Sequence, residues 1–225
     1  MKPVKSKRIV LIHALPHSIA PIKIAFDTYW PDAELVNLLD DSLSTDLSRA
    51  QNLSDTIIQR IMALGEYGCS IKADGILYTC SAFGKAIDRV KQKVDIPVLK
   101  PNEAMFEQAL RAGGRIGMLA TFGPSVPSME AEFSEQAAQL GEETELTTIL
   151  AEEAMALLNN GDTAGHNRNL GQTAGNHFSG FDVVMLAQFS MAQAYSSVSE
   201  AVGATILTSP KSAVVKMKRL LQPEM

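Results

Sequence analysis

The feature that most constrains the fold of this chain is an internal duplication. Four short apolar segments of the first half return in the second half, in the same order and about 107 to 111 residues later. The matched pairs are 8–14 with 115–121, 36–39 with 147–150, 74–80 with 182–188, and 97–101 with 205–210. Chance can produce one such match, but not four in register. The chain is therefore predicted to contain two copies of one structural unit.

The matched segments have the character of buried strands. Each is short, rich in Ile, Val and Leu, and continuously apolar, which is typical of strands that helices cover on both faces. Apolar residues at helical spacing predict helices over 54–64, 82–90, 102–111, 128–140 and 211–221. Strands that alternate with helices predict parallel sheets. The expected fold class is α/β, with two pseudo-symmetric parallel-sheet subdomains and an active-site cleft between them.

The predicted boundary between the two copies lies at Gly113–Gly114. It gives an N-terminal α/β half over 1–112 and a C-terminal α/β half over 113–225. The last apolar segment and helix of each copy can cross to the other half, so the sequence does not fix this boundary at a single residue. In parallel sheets, ligands bind at the carboxyl ends of the strands. The loops 14–19, 80–84, 121–128 and 188–192 are therefore expected to face one shared cleft.

Charge and composition exclude several classes of function. The formal net charge is −5 and the basic residues are scattered, which argues against nucleic-acid binding. The one basic cluster, Lys2, Lys5, Lys7 and Arg8, is interpreted as a solvated N-terminal tail. The apolar segments fall well short of the roughly 20 residues that span a bilayer, so no membrane association is expected. Two cysteines are too few for a disulfide framework and favour a reducing, cytoplasmic location.

Neither a nucleotide nor a metal is predicted from the motifs. The pair Gly84-Lys85 lacks the glycine spacing and the following Ser or Thr of a phosphate-binding loop. The glycines at 113, 114 and 117 precede a strand, whereas a dinucleotide fingerprint follows one. The four histidines do not stand at metal-ligand spacing with carboxylates or thiols.

Cys80 is the strongest candidate for a reactive group. It ends an apolar strand and precedes a predicted helix, whose dipole and backbone N–H groups would favour the thiolate. The alternative is that Cys80 is a small buried hydrophobic residue, the commonest fate of a free cysteine. Cys69 lies in a predicted linker before the strand and has a much weaker case.

The other loops offer small polar groups. Thr121, Ser125 and Ser128 in the second half, and Ser18 and Ser81 in the first, can hold a carboxylate without a cation, or can simply cap helices. His13 and His17 follow the first strand, where a general acid or base can act, and either can equally be structural. His166 and His177 lie in an Asn- and Gly-rich stretch and are weaker candidates.

Together these motifs resemble the aspartate/glutamate/hydantoin racemase superfamily. The residues that carry the resemblance are the duplication, Ile-Leu-Tyr-Thr-Cys80-Ser-Ala, and Leu119-Ala-Thr121-Phe-Gly-Pro-Ser125-Val-Pro-Ser128. The resemblance implies a cofactor-independent enzyme acting on a small carboxylic acid. In that superfamily one cysteine from each half faces the cleft, and the two move protons on opposite faces of the carbon α to a carboxylate. The first-half cysteine matches Cys80, and the carboxylate-binding Thr and Ser residues match Thr121, Ser125 and Ser128.

The sequence departs from the superfamily pattern at two places. The second-half cysteine is replaced by Gln188, followed by Phe189 and Ser190, and the Asn-Thr after the first cysteine is Ser81-Ala82. An amide cannot carry a proton near neutral pH, so the symmetric two-thiol mechanism is excluded. The resemblance then implies three alternatives: an isomerase that exchanges an α proton using Cys80 with His17, His13 or water; a one-cysteine decarboxylase, lyase or nucleophilic isomerase; or a non-catalytic binder of a small acid.

The residues expected to contact the substrate are Ser81, Ala82, Thr121, Ser125, Gln188, Phe189 and Ser190, with Cys80 and His17 as catalytic candidates. No cofactor is expected. The sequence leaves the substrate open, and also whether the chain forms a homo-oligomer.

Overall fold

The first half of the chain folds around one parallel sheet. The computed structural model describes residues 6–223. The strands of this half are β1 (Arg8–His13), β2 (Glu34–Leu39), β3 (Gly75–Tyr78) and β4 (Val98–Leu99). Its helices are α1 (Ile19–Tyr29), α2 (Ser42–Ala50), α3 (Asp55–Ser70), α4 (Gly84–Lys93) and α5 (Glu103–Ala112). The strands are ordered β2-β1-β3-β4, and each neighbouring pair is parallel.

The second half repeats this arrangement. Its strands are β5 (Ile116–Ala120), β6 (Leu146–Leu150), β7 (Val183–Leu186) and β8 (Thr205–Thr208), in the parallel order β6-β5-β7-β8. Its helices are α6 (Val126–Leu140), α7 (Glu152–Asn159), α8 (Thr163–His177), α9 (Tyr195–Ala201) and α10 (Ser209–Leu221). The prediction of two pseudo-symmetric parallel-sheet α/β halves is confirmed.

The symmetry between the halves extends to single hydrogen bonds. The Asp74 carboxylate accepts a hydrogen bond of 2.9 Å from the backbone N–H of Arg8, at the start of β1. In the second half, Asp182 accepts one of 2.7 Å from the backbone N–H of Arg115, beside β5. Gly114 precedes that contact with a φ of +79°, and a Cβ there would lie 2.3 Å from the Asp182 carboxylate. Only glycine fits this position without strain.

Burial explains why some matched segments look alike and others do not. The inner strands β1, β3, β5 and β7 are buried almost throughout, so their sequences are continuously apolar. The edge strands β2 and β6 alternate between exposed and partly buried residues. Their sequences are under less constraint, which accounts for the weaker match between 36–39 and 147–150.

The last helix of each half packs on the core of the other half. Met105 and Phe106 of α5 join the second-half core, where the Phe106 ring meets Phe133 edge-on at 5.5 Å. Val214 and Met217 of α10 join the first-half core with α1. The last strands do not exchange, because β4 pairs with β3 and β8 pairs with β7. The two halves are therefore interlocked through their last helices and not through exchanged strands.

Several helices differ from the sequence prediction. The helix predicted over 54–64 continues to Ser70 as α3, so Cys69 belongs to a helix and not to a linker. The Asn- and Gly-rich stretch that contains His166 and His177 is the helix α8. The predicted helix over 82–90 begins as a 3-10 turn, Ser81–Phe83, before α4.

Two residues of the basic N-terminal cluster, Lys7 and Arg8, belong to the folded part of the chain and not to a solvated tail. Lys2 and Lys5 lie outside the described residues. Lys7 forms an ion pair of 2.9 Å with Asp74, and Arg8 is the first residue of β1, where it pairs with Glu34. These two residues therefore fasten the start of the sheet. No helix within 6–223 is long and apolar enough to cross a membrane.

A buried ion pair joins the two halves beside α4. Glu132 of α6 is 8% exposed, and its Oε1 lies 3.6 Å from the Nζ of Lys100, which follows β4. Lys100 also pairs with Asp88 of α4 at 3.2 Å. Burial raises the pKa of Glu132 to about 7, although the nearby Lys100 lowers it in part. A carboxyl group whose pKa is raised by folding destabilises the folded chain once it ionises.

We expect Glu132→Gln to stabilise the chain more at pH 8 than at pH 5. The folded chain holds the Glu132 proton more tightly than the unfolded chain does. The contribution of this group to stability is complete below about pH 4.5 and is lost as the pH rises through about 7. The variant should gain up to about 3 kcal/mol relative to the parent over that interval. Urea unfolding at both pH values measures it.

Glu130→Gln is the matched control, because Glu130 lies on the same helix and is exposed. It should shift stability equally at the two pH values. An equal gain at pH 5 and pH 8 for Glu132→Gln would show that its carboxyl group is not perturbed.

Candidate active site

The carboxyl ends of β1, β3, β5 and β7 border a narrow cleft between the halves. Five segments line it: the β1 loop, the β3 loop, the β5 loop, α7 and the β7 loop. The lining residues are Leu15, His17, Ser18, Thr79, Cys80, Ser81, Phe122, Met155, Gln188, Phe189 and Ser190. The open volume is about 30 Å³, far below the roughly 300–1,000 Å³ of typical ligand pockets. A small acid therefore enters only if the cleft widens.

Cys80 lines this cleft, but its setting differs from the one that the sequence predicts. Burial raises the pKa of the thiol to about 11. Hydrogen bonds from the Ala82 backbone N–H and from the Ser44 side chain lower that pKa only in part. The turn that follows Cys80 is a short 3-10 turn, and α4 begins only at Gly84. The expected stabilisation of a thiolate by a helix dipole is thus outweighed by desolvation, and Cys80 is a thiol near neutral pH.

The Gln188 side chain forms hydrogen bonds with the polar groups of the β5 loop. Its Oε1 accepts hydrogen bonds from the Thr121 backbone N–H at 2.8 Å and from the Thr121 hydroxyl at 3.3 Å. Its Nε2 donates to the Ser125 hydroxyl at 3.2 Å. These are the groups that the resemblance assigns to a substrate carboxylate. In this structure the Gln188 side-chain amide already bonds to these groups.

A buried polar network backs the first-half side of the cleft. His13 is fully buried, and its Nε2 lies 2.9 Å from the Asn37 side-chain oxygen. Because that oxygen only accepts, Nε2 carries the proton and Nδ1 is the acceptor. The Thr79 hydroxyl, 2.9 Å away, donates to Nδ1, and the Ser18 hydroxyl, also 2.9 Å from Nδ1, donates to the Leu15 carbonyl. Burial lowers the pKa of His13, and the Asn37 hydrogen bond opposes that shift. The ring is neutral and holds the lining residue Thr79 in place.

The remaining predicted residues divide between two places. Exposed His17 lines the cleft in the 3-10 turn before α1, together with the buried residues Ser81, Phe189 and Ser190. Ala82 and Ser128 do not line it; they border a larger groove on the far side of the Ser81–Phe83 turn.

Sequence reasoning missed several residues that shape the cleft. Phe122 and Met155 close it from the second half, and Ser44 of α2 approaches the sulfur of Cys80. Phe122 directly follows Thr121 in a predicted loop, so its position was available from the sequence. Met155 and Ser44 lie on α7 and α2, two helices that sequence reasoning did not predict.

The two other histidines lie on α8. His166 is fully buried, and its Nδ1 donates to the Ala154 carbonyl at 2.8 Å. Burial lowers the pKa of His166, and the hydrogen bond to Ala154 opposes that shift. His177 is the last residue of the helix and is exposed. Neither lines the cleft, and within 6–223 no group of three His, Cys, Asp or Glu side chains is arranged to hold a metal ion.

The fold and the cleft together define a two-lobed α/β protein. The Cys80 thiol and the Gln188 amide both line the cleft between its lobes. A family model described as Asp/Glu/hydantoin racemase matches residues 19–217. The chain therefore belongs to the Asp/Glu/hydantoin racemase family.

Solved structures share this fold at low sequence identity. A glutamate racemase isoform from Bacillus anthracis superposes with a TM-score of 0.75 at 14% identity, covering 97% of this chain and 83% of that one. The aspartate racemase of Picrophilus torridus gives 0.73 at 13% identity, covering 96% and 94%. The allantoin racemase of Klebsiella pneumoniae gives 0.66 at 14% identity, covering 96% and 88%. No curated protein sequence matches the chain.

We expect Cys80 to react slowly with iodoacetamide at neutral pH. In a Cys69→Ser background Cys80 is the single thiol, and its pKa of about 11 replaces an ordinary value of 9.0. The thiolate fraction at pH 7 then falls about a hundredfold, and the greater nucleophilicity of a basic thiolate offsets about half of this on a logarithmic scale. Alkylation at pH 7 should be about tenfold slower than for a thiol of pKa 9.

Mass spectrometry of the alkylated protein gives the rate at each pH. The rate should still rise at pH 10. A plateau at or below pH 8.5 would show that the protein stabilises the thiolate and would contradict this description of the site.

Proposed function

We propose that the chain is a cofactor-independent isomerase that exchanges the proton α to a carboxylate of a small acid. The observation that carries the proposal is the position of Cys80. Its side chain lines the cleft between two racemase-family lobes, at the carboxyl end of β3. Clefts at the carboxyl ends of parallel strands are the usual place for ligands in α/β proteins.

Two titratable side chains line the described cleft, and they are Cys80 and His17. The other lining side chains are apolar residues, hydroxyls and the Gln188 amide, which do not exchange protons near neutral pH. General acid–base chemistry at this cleft therefore falls to the thiol and the imidazole. Exposed His17 lies at the solvent side, whereas Cys80 is desolvated.

The burial of Cys80 supports a role for the thiol as the proton donor, because desolvation favours its protonated form. In the proposed step the neutral imidazole of His17 takes the α proton, and the C–H electron pair passes into the carboxylate as an enediolate. The Cys80 thiol then returns a proton to the opposite face of that carbon. The step leaves an imidazolium and a thiolate, and proton exchange with solvent restores the starting state. No electron acceptor or cofactor enters this balance.

The substrate carboxylate is proposed to bind where Gln188 now bonds. The Thr121 N–H and hydroxyl donate to Gln188 in this structure, so an entering carboxylate competes with a neutral amide oxygen. A charged acceptor forms the stronger hydrogen bond of the two. Displacement of Gln188 then accompanies the widening of the cleft.

Exchange of deuterium from solvent tests the proposed reaction. Both enantiomers of aspartate and glutamate, with allantoin as the amide counterpart, are incubated in deuterated water and analysed by NMR and mass spectrometry. We expect deuterium at the α carbon of at least one of them, with loss of optical activity. Cys80→Ser should lower the rate about a hundredfold or more, because a hydroxyl is a far weaker proton donor.

Cys69→Ser is the matched control, since it removes a thiol that lies outside the cleft on α3. It should exchange like the parent. Release of carbon dioxide with one deuterium would instead support a one-cysteine decarboxylase. Binding of an acid without exchange would support the non-catalytic alternative.

We expect Gln188→Glu to weaken the binding of the exchanging acid. The glutamate would keep an oxygen near the Thr121 N–H but would place a negative charge where the substrate carboxylate binds. Like charges at such a distance repel, and KM should rise about tenfold or more. Gln139→Glu adds the same charge at an exposed position of α6, outside the cleft, and should leave KM nearly unchanged. An unchanged KM for Gln188→Glu would remove Gln188 from the carboxylate site.

A further inference from the structure

A second cavity, much larger than the Cys80 cleft, also lies between the halves. It is a groove of about 680 Å³ between the halves, bordered by α2, α4 and α6. Ser81 lines the cleft, and the next residue, Ala82, lines the groove, so the Ser81–Phe83 turn separates the two cavities. The volume of the groove falls within the usual range of small-molecule sites, roughly 300–1,000 Å³.

The inner end of this groove holds an unsatisfied carboxylate. The side chain of Glu132 is 9% exposed, and its Oε1 accepts no hydrogen bond from any described residue. The nearest cation, the Lys100 ammonium, lies 3.6 Å away, beyond hydrogen-bond distance. Buried acceptors of this kind normally have a partner, because an unpaired one destabilises the fold. The Glu132 carboxylate, which lines the groove, therefore has one acceptor without a hydrogen-bond donor.

Charge at the groove favours a cationic partner for that acceptor. At the inner end, the buried Glu132 carboxylate shares the single ammonium of Lys100 with Asp88, whose side chain is 43% exposed. At the exposed rim, Lys85 and Glu135 balance each other. The inner end therefore has an excess of one negative charge when Glu132 is ionised. Lys100 is 12% exposed and already held on both sides, so it offers little to an anion.

Much of the wall of the groove is apolar. Leu47 and Leu53 border it from the first half, and Pro124, Pro127 and Ala131 border it from the second. Gly84 leaves space beside the carboxylate, because a Cβ there would lie 3.3 Å from the Glu132 Oε2. A ligand that fits has a charged donor at one end and an apolar body.

We propose that this groove is a second ligand site, which binds a small molecule with a primary ammonium group and an apolar body. The ammonium donates to the Glu132 carboxylate, and the body packs against the proline and leucine walls. The site is distinct from the Cys80 cleft and does not depend on the proposed isomerase reaction. Neither family membership nor the proposed reaction assigns a ligand to it.

Titration with benzylamine at pH 8 tests the proposal, with benzyl alcohol and benzoate as neutral and anionic analogues of the same size. The backbone N–H signals of Gly84 and Ala131, followed by two-dimensional NMR, report on the groove. Benzylamine should shift both signals saturably, and the two analogues should bind at least tenfold more weakly. Glu132→Gln, which is expected to fold stably at this pH, should weaken benzylamine binding at least tenfold.

Two further variants separate a site from a surface effect. Ala131→Phe fills the groove at an exposed position and should also reduce benzylamine binding at least tenfold. Glu130→Gln removes an exposed charge from the same helix outside the groove and should bind within threefold of the parent. The proposal is wrong if benzylamine gives no saturable shift, if Glu132→Gln binds it like the parent, or if benzyl alcohol or benzoate binds equally well.

Discussion

The packing of each terminal helix on the opposite half is the constraint on which the rest of the structure depends. Because α5 completes the second-half core and α10 completes the first-half core, neither half buries its apolar surface alone. The sheets are thereby held with the carboxyl ends of their inner strands facing one another. The cleft, the Lys100–Glu132 contact and the neighbouring groove all lie along this enforced interface.

The duplicated backbone carries an asymmetric site. Cys80 and Gln188 occupy equivalent positions after β3 and β7, yet their surroundings differ. The thiol packs beside the first-half core, whereas the amide is fully bonded to Thr121 and Ser125 of its own half. An amide in place of a thiol therefore has two consequences. The position no longer carries a proton, and the hydrogen-bond donors of Thr121 are already bonded to the amide oxygen. Symmetry of the fold does not impose symmetry of the chemistry.

Much of the fold follows from the sequence because the inner strands are buried on both faces. That burial forces continuous Ile, Val and Leu segments such as 8–14 and 115–121, which show the duplication directly. Helix α8 was missed because Gly165, Gly171 and Gly175 interrupt the apolar pattern. The backbone of Ser197 lies only 2.7 Å from where a Cβ on Gly171 would be, so packing and not propensity selects glycine there. The raised pKa of Cys80 was missed for a related reason. Desolvation depends on side chains from distant segments, which strand-end position does not reveal.

Burial also assigns the two proposed proton carriers to different roles. A substrate carboxylate that enters the cleft adds a negative charge beside Cys80 and raises the pKa of the thiol further, which favours it as a proton donor. His17 is exposed, and water can reach its ring to carry protons away. In the proposed reaction the desolvated thiol therefore donates the proton, and the solvent-exposed imidazole accepts one and returns it to water. A symmetric cleft would use a second thiol at the position of Gln188, which cannot carry a proton. The proposed reaction therefore needs another proton acceptor that can exchange its proton with solvent. Among the residues that line the described cleft, His17 is that group.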